Sequence, residues 1–240
     1  KDVFLESVDY SLSSDTLLYN TDLHTAYFVS PTEIISDETT IHTSKGNFNT
    51  DVKEATLLNR SVIIQKDGEQ TMVGDSIVFN ESKGQAEAFG GVQIRNYPDK
   101  IDMDGEYAYF SQENDSAVVT GKALAVEYSA GDSLYIHADT FRLLTFYNAT
   151  RDTVLYREMR AFNKVKAYRT DIQMVADSLV FNSLDTCLTL YKDPIVWSEN
   201  QQVLGEKISV YMNDSTIEWA NVIGQALFAQ QIDTVHYNQI

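Results

Sequence analysis

The sequence predicts an all-β protein made of about seven stacked repeats of roughly 30 residues each. Three observations lead to this prediction. A nine-residue motif recurs along the chain, a second apolar segment follows a Gly or Asn corner in most copies, and helix signals are nearly absent. Residues 151–160 have the most helical character, and their β-branched and aromatic side chains weaken even that signal.

The motif is clearest in MVGDSIVFN (Met72–Asn80) and MVADSLVFN (Met174–Asn182), which agree at seven of nine positions. Its general form is apolar, any, small, polar, any, apolar, any, apolar, and then often Asn. Copies begin near residues 12, 41, 72, 103, 136, 174 and 203, and a truncated eighth copy is due near Ile232. Because self-similarity at this period is typical of stacked repeats, we predict one repeat domain spanning residues 1–240.

A second apolar segment completes each repeat. In Phe89–Ile94 and Phe162–Ala167, a Gly or Asn near a bend is followed by apolar residues at alternate positions. Gly and Asn tolerate left-handed backbone angles, so we expect a tight corner there, and the alternation that follows indicates a strand. Each repeat should therefore run as strand, polar tip, strand, corner and strand.

The centre of the motif predicts a kink in its strand. Met72 lies three residues before Asp75 and Ile77 lies two after it, so a flat strand would place Met72 and Ile77 on opposite faces. A kink or bulge at the small and acidic residues would bring both to one face, and the acidic side chain would accept hydrogen bonds from backbone N–H groups freed at the bend. We expect the kink at Gly74–Asp75, Gly105–Glu106, Ala138–Asp139, Ala176–Asp177 and Gly205–Glu206.

Stacking the repeats would align the first, sixth and eighth positions of the motif into three apolar columns. Such columns would line a continuous interior. The two ends of the stack would expose unpaired strand edges, and an unpaired edge is a template for pairing with another chain. The repeat pattern therefore predicts end-to-end association.

Composition and charge exclude several functions. The formal net charge is −17, which argues against nucleic acid as a partner because phosphate binding needs a basic face. No run of eighteen apolar residues occurs, so we predict no transmembrane segment in this chain. The single cysteine, Cys187, cannot form an internal disulfide.

Few residues support an enzyme. The four histidines lack metal-ligand spacing, and neither a phosphate-binding glycine loop nor a nucleophile elbow is present. We therefore predict no catalytic residues, no metal and no cofactor. Two alternatives stay open from the residues alone. One is a parallel β-helix enzyme acting on polysaccharide, and the other is a ligand-free repetitive scaffold, whose core residues would be chemically alike.

The kinked motif, the apolar-Gly/Asn-x-Val-x-Ile segment and the 30-residue period together resemble the OstA family. This family contains the periplasmic lipopolysaccharide-transport protein LptA and the N-terminal domain of its outer-membrane partner LptD. The resemblance covers nearly the whole chain. It implies a folded-over antiparallel jelly roll, or β-taco, in the periplasm of a Gram-negative bacterium. It also implies a transport module that binds lipopolysaccharide, shields the acyl chains in an apolar groove, and joins other OstA-type domains, or further copies of itself, by edge-strand pairing.

The motif columns and the second segments supply the side chains expected to line this groove. They are Met72, Ile77, Phe79, Val92, Ile94, Met103, Phe110, Leu124, Val126, Ile136, Phe141, Leu143, Met174, Leu179, Phe181, Ile208 and Val210.

A basic segment interrupts the acidic chain. Residues 142–169 hold seven of the eighteen Lys and Arg residues and belong to the repeat with the longest step, so its strands or tip should be longer than the others. A functional interpretation is contact with a lipid phosphate or an acidic partner, and the plainer one is a solvated strand face. The candidates for contact are Arg142, Arg157, Arg160, Lys164 and Lys166.

Overall fold

The computed structural model describes residues 3–65, 68–129, 131–213 and 216–240. These residues form β-strands joined by turns, with no α-helix among them, so the predicted all-β class is confirmed. The chain divides into two compact units, Lys1–Val119 and Thr120–Ile240, which we call the N-terminal and C-terminal units. The single repeat domain stays a prediction.

The N-terminal unit is a meander of antiparallel strands in two rows. The first row runs β1, β2, β5, β6, β9, β10 and then the later part of β12 and the early part of β13. The second row runs β3, β4, β7, β8, β11 and then the remaining parts of β12 and β13. The strands are β1 (Val3–Glu6), β2 (Tyr10–Ser14), β3 (Leu17–Asn20), β4 (Thr25–Phe28), β5 (Thr32–Ser36), β6 (Thr39–Thr43), β7 (Gly46–Asn49), β8 (Glu54–Leu57), β9 (Ser61–Gln65), β10 (Gln70–Gly74), β11 (Ser76–Asn80), β12 (Gln85–Asn96) and β13 (Ile101–Ser111).

The C-terminal unit repeats this arrangement with longer strands at its start. Its first row runs from the early part of β15 through β16, β17, β19, β20, β23 and β24. Its second row runs from the later part of β15 through β16, β17, β18, β21 and β22. The strands are β14 (Ser116–Glu127), which includes the boundary, β15 (Leu134–Tyr147), β16 (Val154–Arg169), β17 (Ile172–Asn182), β18 (Cys187–Tyr191), β19 (Ile195–Ser198), β20 (Gln201–Leu204), β21 (Lys207–Asn213), β22 (Thr216–Ile223), β23 (Leu227–Gln231) and β24 (Tyr237–Gln239).

Burial alternates along the strands, and the buried face of each row forms the core of its unit. In the first row of the N-terminal unit, one cross-strand ladder runs Leu5, Leu12, Ile34, Ile41, Ile63, Met72, Ile94 and Met103. The four motif starts that this unit contains all lie on the ladder, separated by residues of the second segments. Because both rows bury the same side of the sheet, each unit is an antiparallel sheet folded over along its bends.

The corners lie where the second segments predicted them. Consecutive residues adopt left-handed backbone angles at Gly90–Gly91, with φ of 72° and 49°, and at Asn163–Lys164, with φ of 63° and 56°. The same pairing occurs at Gly121–Lys122, Lys192–Asp193 and Gly224–Gln225. At Gly90–Gly91, Gly121–Lys122 and Asn163–Lys164 the strand continues after the pair, so the corner also fixes which of the following side chains face inward.

The kinks are observed in two forms. At Gly74–Asp75 and Gly205–Glu206 the strand breaks, and the Asp75 backbone N–H donates to the carbonyl oxygens of Phe89 and Gly90 at 2.9 and 3.0 Å. At Gly105–Glu106 and Ala176–Asp177 the strand runs through, and the extra residue belongs to the left-handed pair of the neighbouring strand. In both forms, the motif residues before and after the kink come to lie on one face, whereas a flat strand would place them on opposite faces.

The acidic side chain at the kink has a different role from the predicted one. The Asp75 carboxylate accepts from Arg60 Nη1 at 3.0 Å, and the Asp177 carboxylate accepts from Lys192 Nζ at 2.8 Å. The freed carbonyl groups are satisfied instead by the backbone N–H of the acidic residue, as the bonds from Asp75 and Glu206 show. The sequence predicted a link from the acidic side chain to the backbone, and at Asp75 and Asp177 the structure corrects it to an ion pair across the corner.

Candidate functional site

The second row of the N-terminal unit presents an inner face of alternating large and small side chains. Next to the bends, the ladder runs Leu17, Phe28, Gly46, Leu57, Ile77, Ala88 and Ala108. One step closer to the tips, it runs Tyr19, Ala26, Phe48, Ala55, Phe79, Ala86 and Phe110. The ladder next to the bends is fully buried at Ile77 and Ala108, and the tip-side ladder is also buried from Ala26 to Ala86. Only its two end residues, Tyr19 on β3 and Phe110 on β13, are exposed or partly exposed, so the inner face of this unit is open at its end strands.

In the C-terminal unit the inner face is open toward the tips on β15, β16 and β17, whereas Leu188 and Val210, farther along the same tip-side ladder, are buried. The ladder next to the bends holds Phe141, Ala161 and Leu179, all of which are fully buried. The next ladder holds Leu143, Met159 and Phe181, all of which are partly exposed. These three apolar side chains lie side by side on strands β15, β16 and β17, and we call them the mouth cluster.

Most of the predicted groove residues face inward. The buried ones are Ile77, Phe79, Val92, Met103, Ile136, Phe141, Met174, Leu179, Ile208 and Val210. Partial exposure is found at Met72, Ile94, Phe110, Leu143 and Phe181. The predicted residues therefore form a largely closed core with partly exposed apolar side chains at five positions.

Two predicted groove residues, Leu124 and Val126, lie on the other face of β14. Ala123 and Ala125 are the buried side chains of this strand. The corner at Gly121–Lys122 explains this placement. The side chains that face inward are the second and the fourth after the first corner residue, which here are Ala123 and Ala125. Val92, the second residue after Gly90, follows the same rule. Choosing the larger apolar residues instead of counting from the corner placed Leu124 and Val126 incorrectly.

Met159 is a member of the mouth cluster that the sequence prediction missed. It lies between the second segment and the long tip, outside the nine-residue motif. Counting back from the corner at Asn163 would have found it, since Ala161 and Met159 are the second and fourth residues before the corner, and both face inward.

The basic candidates do not form one cluster. Arg142, Arg160 and Lys166 alternate with the buried residues Phe141, Ala161 and Ala167, so they lie on the outer face of the sheet. On that face Arg160 Nε donates to Glu158 at 2.8 Å, and the Arg142 guanidinium lies 5.8 Å from the centre of the Phe162 ring. Lys164 belongs to the corner and is exposed.

Arg157 is different, because it lies on the inner face two residues beyond Met159. Its backbone is held by Ser183, whose hydroxyl accepts from the Arg157 N–H at 2.8 Å and whose N–H donates to the Arg157 carbonyl at 3.0 Å. One of the five candidates therefore borders the mouth cluster.

An ion pair lies at the far end of the inner face. Arg169 is buried, and its Nε and Nη2 atoms donate to the Asp171 carboxylate at 2.6 and 2.9 Å. The Arg169 guanidinium lowers the pKa of Asp171 below its ordinary value, against the opposing effect of burial. A cation that would otherwise be buried alone is thereby compensated.

The edge strands are rich in exposed apolar side chains. In the N-terminal unit, β3 pairs only with β4 among the described residues, and its Leu18 is 70 % exposed. In the C-terminal unit, β22 pairs with β21, and its Trp219 is 50 % exposed while stacked on Tyr211 at 3.8 Å. Charged residues commonly protect edges from pairing, and β3 has none.

The histidines take part in surface contacts. His24 Nδ1 lies 3.0 Å from Asp51, and His236 Nδ1 lies 2.8 Å from Asp233. Across the described ranges, no three His, Cys, Asp or Glu side chains are grouped so that they could hold a metal ion. No helix in the same ranges is long and apolar enough to cross a membrane.

The fold defines the chain as a folded-over antiparallel β-protein with an apolar inner face. No model of a known protein family matches its sequence, and no curated protein does. Among solved structures, it is similar to LptH, the LptA-homologous periplasmic component of the lipopolysaccharide transport device from Pseudomonas aeruginosa. That similarity has 11 % identity and a TM-score of 0.35, and it covers 59 % of this chain and 96 % of LptH. We therefore infer function from the chain's own residues.

Proposed function

We propose that the chain is a lipid-binding transport module that shelters the acyl chains of lipopolysaccharide against its apolar inner face. The observation that carries this proposal is the partly exposed mouth cluster, which lies on the inner face directly beside the fully buried Phe141, Ala161 and Leu179. A sealed core would leave no apolar side chain available to a ligand, whereas the three residues of the mouth cluster are apolar, lie side by side and are partly exposed. In the N-terminal unit, Phe110 is likewise apolar and partly exposed.

The mechanism is passive shielding. Acyl chains lie against the open apolar margin while the sugars stay in water. Each buried methylene contributes about 0.8 kcal/mol, so several chains that are only partly covered would still be held. The chain offers aliphatic and aromatic contacts for this purpose, and we propose no catalytic step.

Edge-strand pairing would pass the ligand between neighbouring modules. The exposed apolar side chains of β3 and β22 support end-to-end association, either with OstA-type transport proteins or with further copies of this chain. This role places the chain in the periplasm of a Gram-negative bacterium, where lipopolysaccharide crosses between the membranes. Outer-face Arg142, Arg160 and Lys166, with corner Lys164, would contact an acidic partner instead of the sheltered lipid.

A paired substitution tests the proposal. Phe110→Glu places a carboxylate where it can reach water, so lipopolysaccharide binding should fall about tenfold or more while the melting temperature changes little. Ile77→Glu places the same group in the closed core and should unfold the protein. If the wild type binds no lipopolysaccharide, or if Phe110→Glu unfolds the protein as Ile77→Glu does, the chain is a ligand-free scaffold.

A further inference from the structure

A line of uncharged aromatic and amide side chains crosses the first row of the C-terminal unit. The cross-strand pairs of β15, β16, β17, β19 and β20 place these residues directly opposite one another, and the register shifts of β15 and β16 lie elsewhere on those strands. The line consists of Tyr135, Tyr168, Gln173, Trp197 and Gln202. We call it the aromatic–amide strip.

Strand alternation places this strip on the outer face of the sheet. Tyr168 is 49 % exposed and lies between the buried residues Ala167 and Arg169. Tyr135 is 45 % exposed on the neighbouring strand, and Trp197 is partly exposed. The strip therefore lies on the opposite side of the sheet from the apolar inner face, where a ligand could reach its rings without displacing an acyl chain.

The polar groups of the strip are not used by the fold. Within the part of the chain that the structure describes, the hydroxyls of Tyr135 and Tyr168, the Trp197 indole N–H and the side-chain amides of Gln173 and Gln202 have no hydrogen-bond partner. Hydroxyl, indole and amide groups are donors and acceptors of good strength. The strip thus presents a row of hydrogen-bonding groups beside exposed rings, which is a combination that a purely apolar docking surface does not need.

The equivalent line in the N-terminal unit has a different composition. It also runs across the outer face of the first row, one step closer to the tips than the apolar ladder that begins at Leu5. It consists of Glu6, Ser11, Ile35, Thr40, Ile64, Thr71, Arg95 and Asp102. This line contains neither an aromatic ring nor a side-chain amide, so the fold itself does not require the aromatic–amide strip.

The chemistry and spacing of the strip fit an extended sugar chain. The C–H groups on the faces of a β-linked pyranose are positively polarised, and they pack well against the negative face of an aromatic ring. Tyr168 and Trp197 are two strands apart, which separates them by roughly 10 Å, close to the length of two sugars in an extended chain. Gln173 lies between them, where its amide would meet the intervening sugar. All five side chains are uncharged, which favours a ligand that is neutral along this contact.

We propose that the aromatic–amide strip binds an extended, β-linked glycan. Tyr168 and Trp197 stack on alternate sugars, and Gln173 and Gln202 bond their hydroxyl or acetamido groups. This inference goes beyond the proposed function, because the glycan is a second ligand on the other side of the sheet. Its role would be to hold the module at a polysaccharide while the inner face stays open to acyl chains.

Isothermal titration calorimetry with two hexasaccharides tests the proposal. Chitohexaose is β-linked and extended, whereas maltohexaose is α-linked and coils, so it is the matched control probe. The wild type should bind chitohexaose about tenfold or more tightly than maltohexaose. Trp197→Ala and Tyr168→Ala should each weaken chitohexaose binding about fivefold or more, and Trp197→Phe should weaken it less because a ring remains. Trp219→Ala removes an exposed tryptophan outside the strip and should change nothing.

A second measurement leaves the strip unaltered. The chain has two tryptophans, so Trp197 is the single tryptophan in the Trp219→Phe variant. Its fluorescence emission should shift when chitohexaose is added and should not shift with maltohexaose. This readout remains decisive even if a substitution within the strip lowers the melting temperature.

The outcomes separate this inference from the proposed function. Absence of chitohexaose binding, equal binding of the two hexasaccharides, or equal effects of Trp197→Ala and Trp219→Ala overturns the glycan site. An equal loss of lipopolysaccharide and chitohexaose binding in Trp197→Ala also overturns it, because the two ligands would then share a site. Reduced self-association of Trp197→Ala, with no glycan binding by the wild type, would assign the strip to a contact between copies. Chitohexaose binding by a wild type that binds no lipopolysaccharide would contradict the proposed function alone.

Discussion

Gly46 shows how single positions shape the inner face. It lies at a motif position that is apolar in most other repeats, yet it is buried between Phe28 and Leu57. A Cβ atom there would stand 3.0 Å from the Phe28 ring and would collide with the Thr56 carbonyl oxygen. The small residue thus makes room for a large aromatic one, as the alanines between Phe48, Phe79 and Phe110 do.

Gly46→Ala should lower the free energy of unfolding by about 1–3 kcal/mol, because the Thr56 backbone must shift to admit the methyl group. Gly131→Ala is the matched control, since a Cβ at Gly131 meets no atom within 4 Å. Urea unfolding of both variants measures the difference. Equal stability of the two variants would show that the β7–β8 contact is looser than described.

The Arg169–Asp171 pair should make stability depend on pH. The pKa of Asp171 is lowered in the folded state, so the pair stabilises fully above the unfolded pKa of about 4 and less as pH falls through the folded pKa. Asp171→Asn should therefore destabilise the protein at pH 7 and cost progressively less below pH 4. Urea titrations at pH 3 and pH 7 measure the loss of stability, with Asp15→Asn at an exposed position as the control. A loss of stability that is the same at pH 3 and pH 7 would contradict the prediction.

At the scale of the element, the tips between strands form a second repeating structure. The Asn that ends the motif caps its own tip, because Asn49 Oδ1 accepts from the N–H groups of Asp51 and Val52 at 3.1 Å each. Successive tips are also bonded, since the Thr50 N–H donates to the His24 carbonyl at 2.8 Å and the Glu81 N–H to the Lys53 carbonyl at 3.0 Å. The ladder of hydrogen bonds thus continues beyond the strands.

Asn49→Ala should destabilise the N-terminal unit by about 1 kcal/mol, because two backbone donors lose their acceptor. Asn49→Asp retains the acceptor but loses the Nδ2 donor to the Leu23 carbonyl at 3.1 Å and to Thr25 Oγ1 at 3.2 Å, so it should recover only part of the loss. Asn47→Ala, on the outer face of the same strand, is the control. Chemical denaturation ranks the three variants, and an Asn47→Ala penalty as large as that of Asn49→Ala would show that the cap contributes nothing specific.

The fold was largely predictable because the kink and corner residues recur in each repeat together with the apolar pattern. Motif spacing located the bends, and Gly or Asn located corners such as Gly90–Gly91 and Asn163–Lys164. The prediction went wrong after the corner at Gly121–Lys122, because it chose the larger apolar side chains, whereas Ala123 and Ala125 face inward. The prediction also grouped Arg157 with Arg160 by charge, although strand alternation places residues three apart on opposite faces. What the sequence could not show was how far each inner side chain is exposed, since that depends on how the strands pack.

For the whole molecule, the proposed assembly depends on its edges. A charged residue on an exposed edge strand opposes pairing with another chain. Leu18→Lys should therefore reduce concentration-dependent association, measured by light scattering, whereas Leu184→Lys, at an exposed tip, should not. A wild type that stays monomeric at every concentration would remove end-to-end association from the account.

The central claim is that the inner face, near the tips, contacts acyl chains. Site-specific photo-crosslinking to lipopolysaccharide tests it most directly, using neighbouring residues on opposite faces: Phe181 against Val180 in the C-terminal unit, and Phe110 against Tyr109 in the N-terminal unit. The account predicts crosslinks from probes at Phe181 and Phe110, with little or none from Val180 and Tyr109. Crosslinks of equal yield from both faces, or none from Phe181 and Phe110, would contradict it.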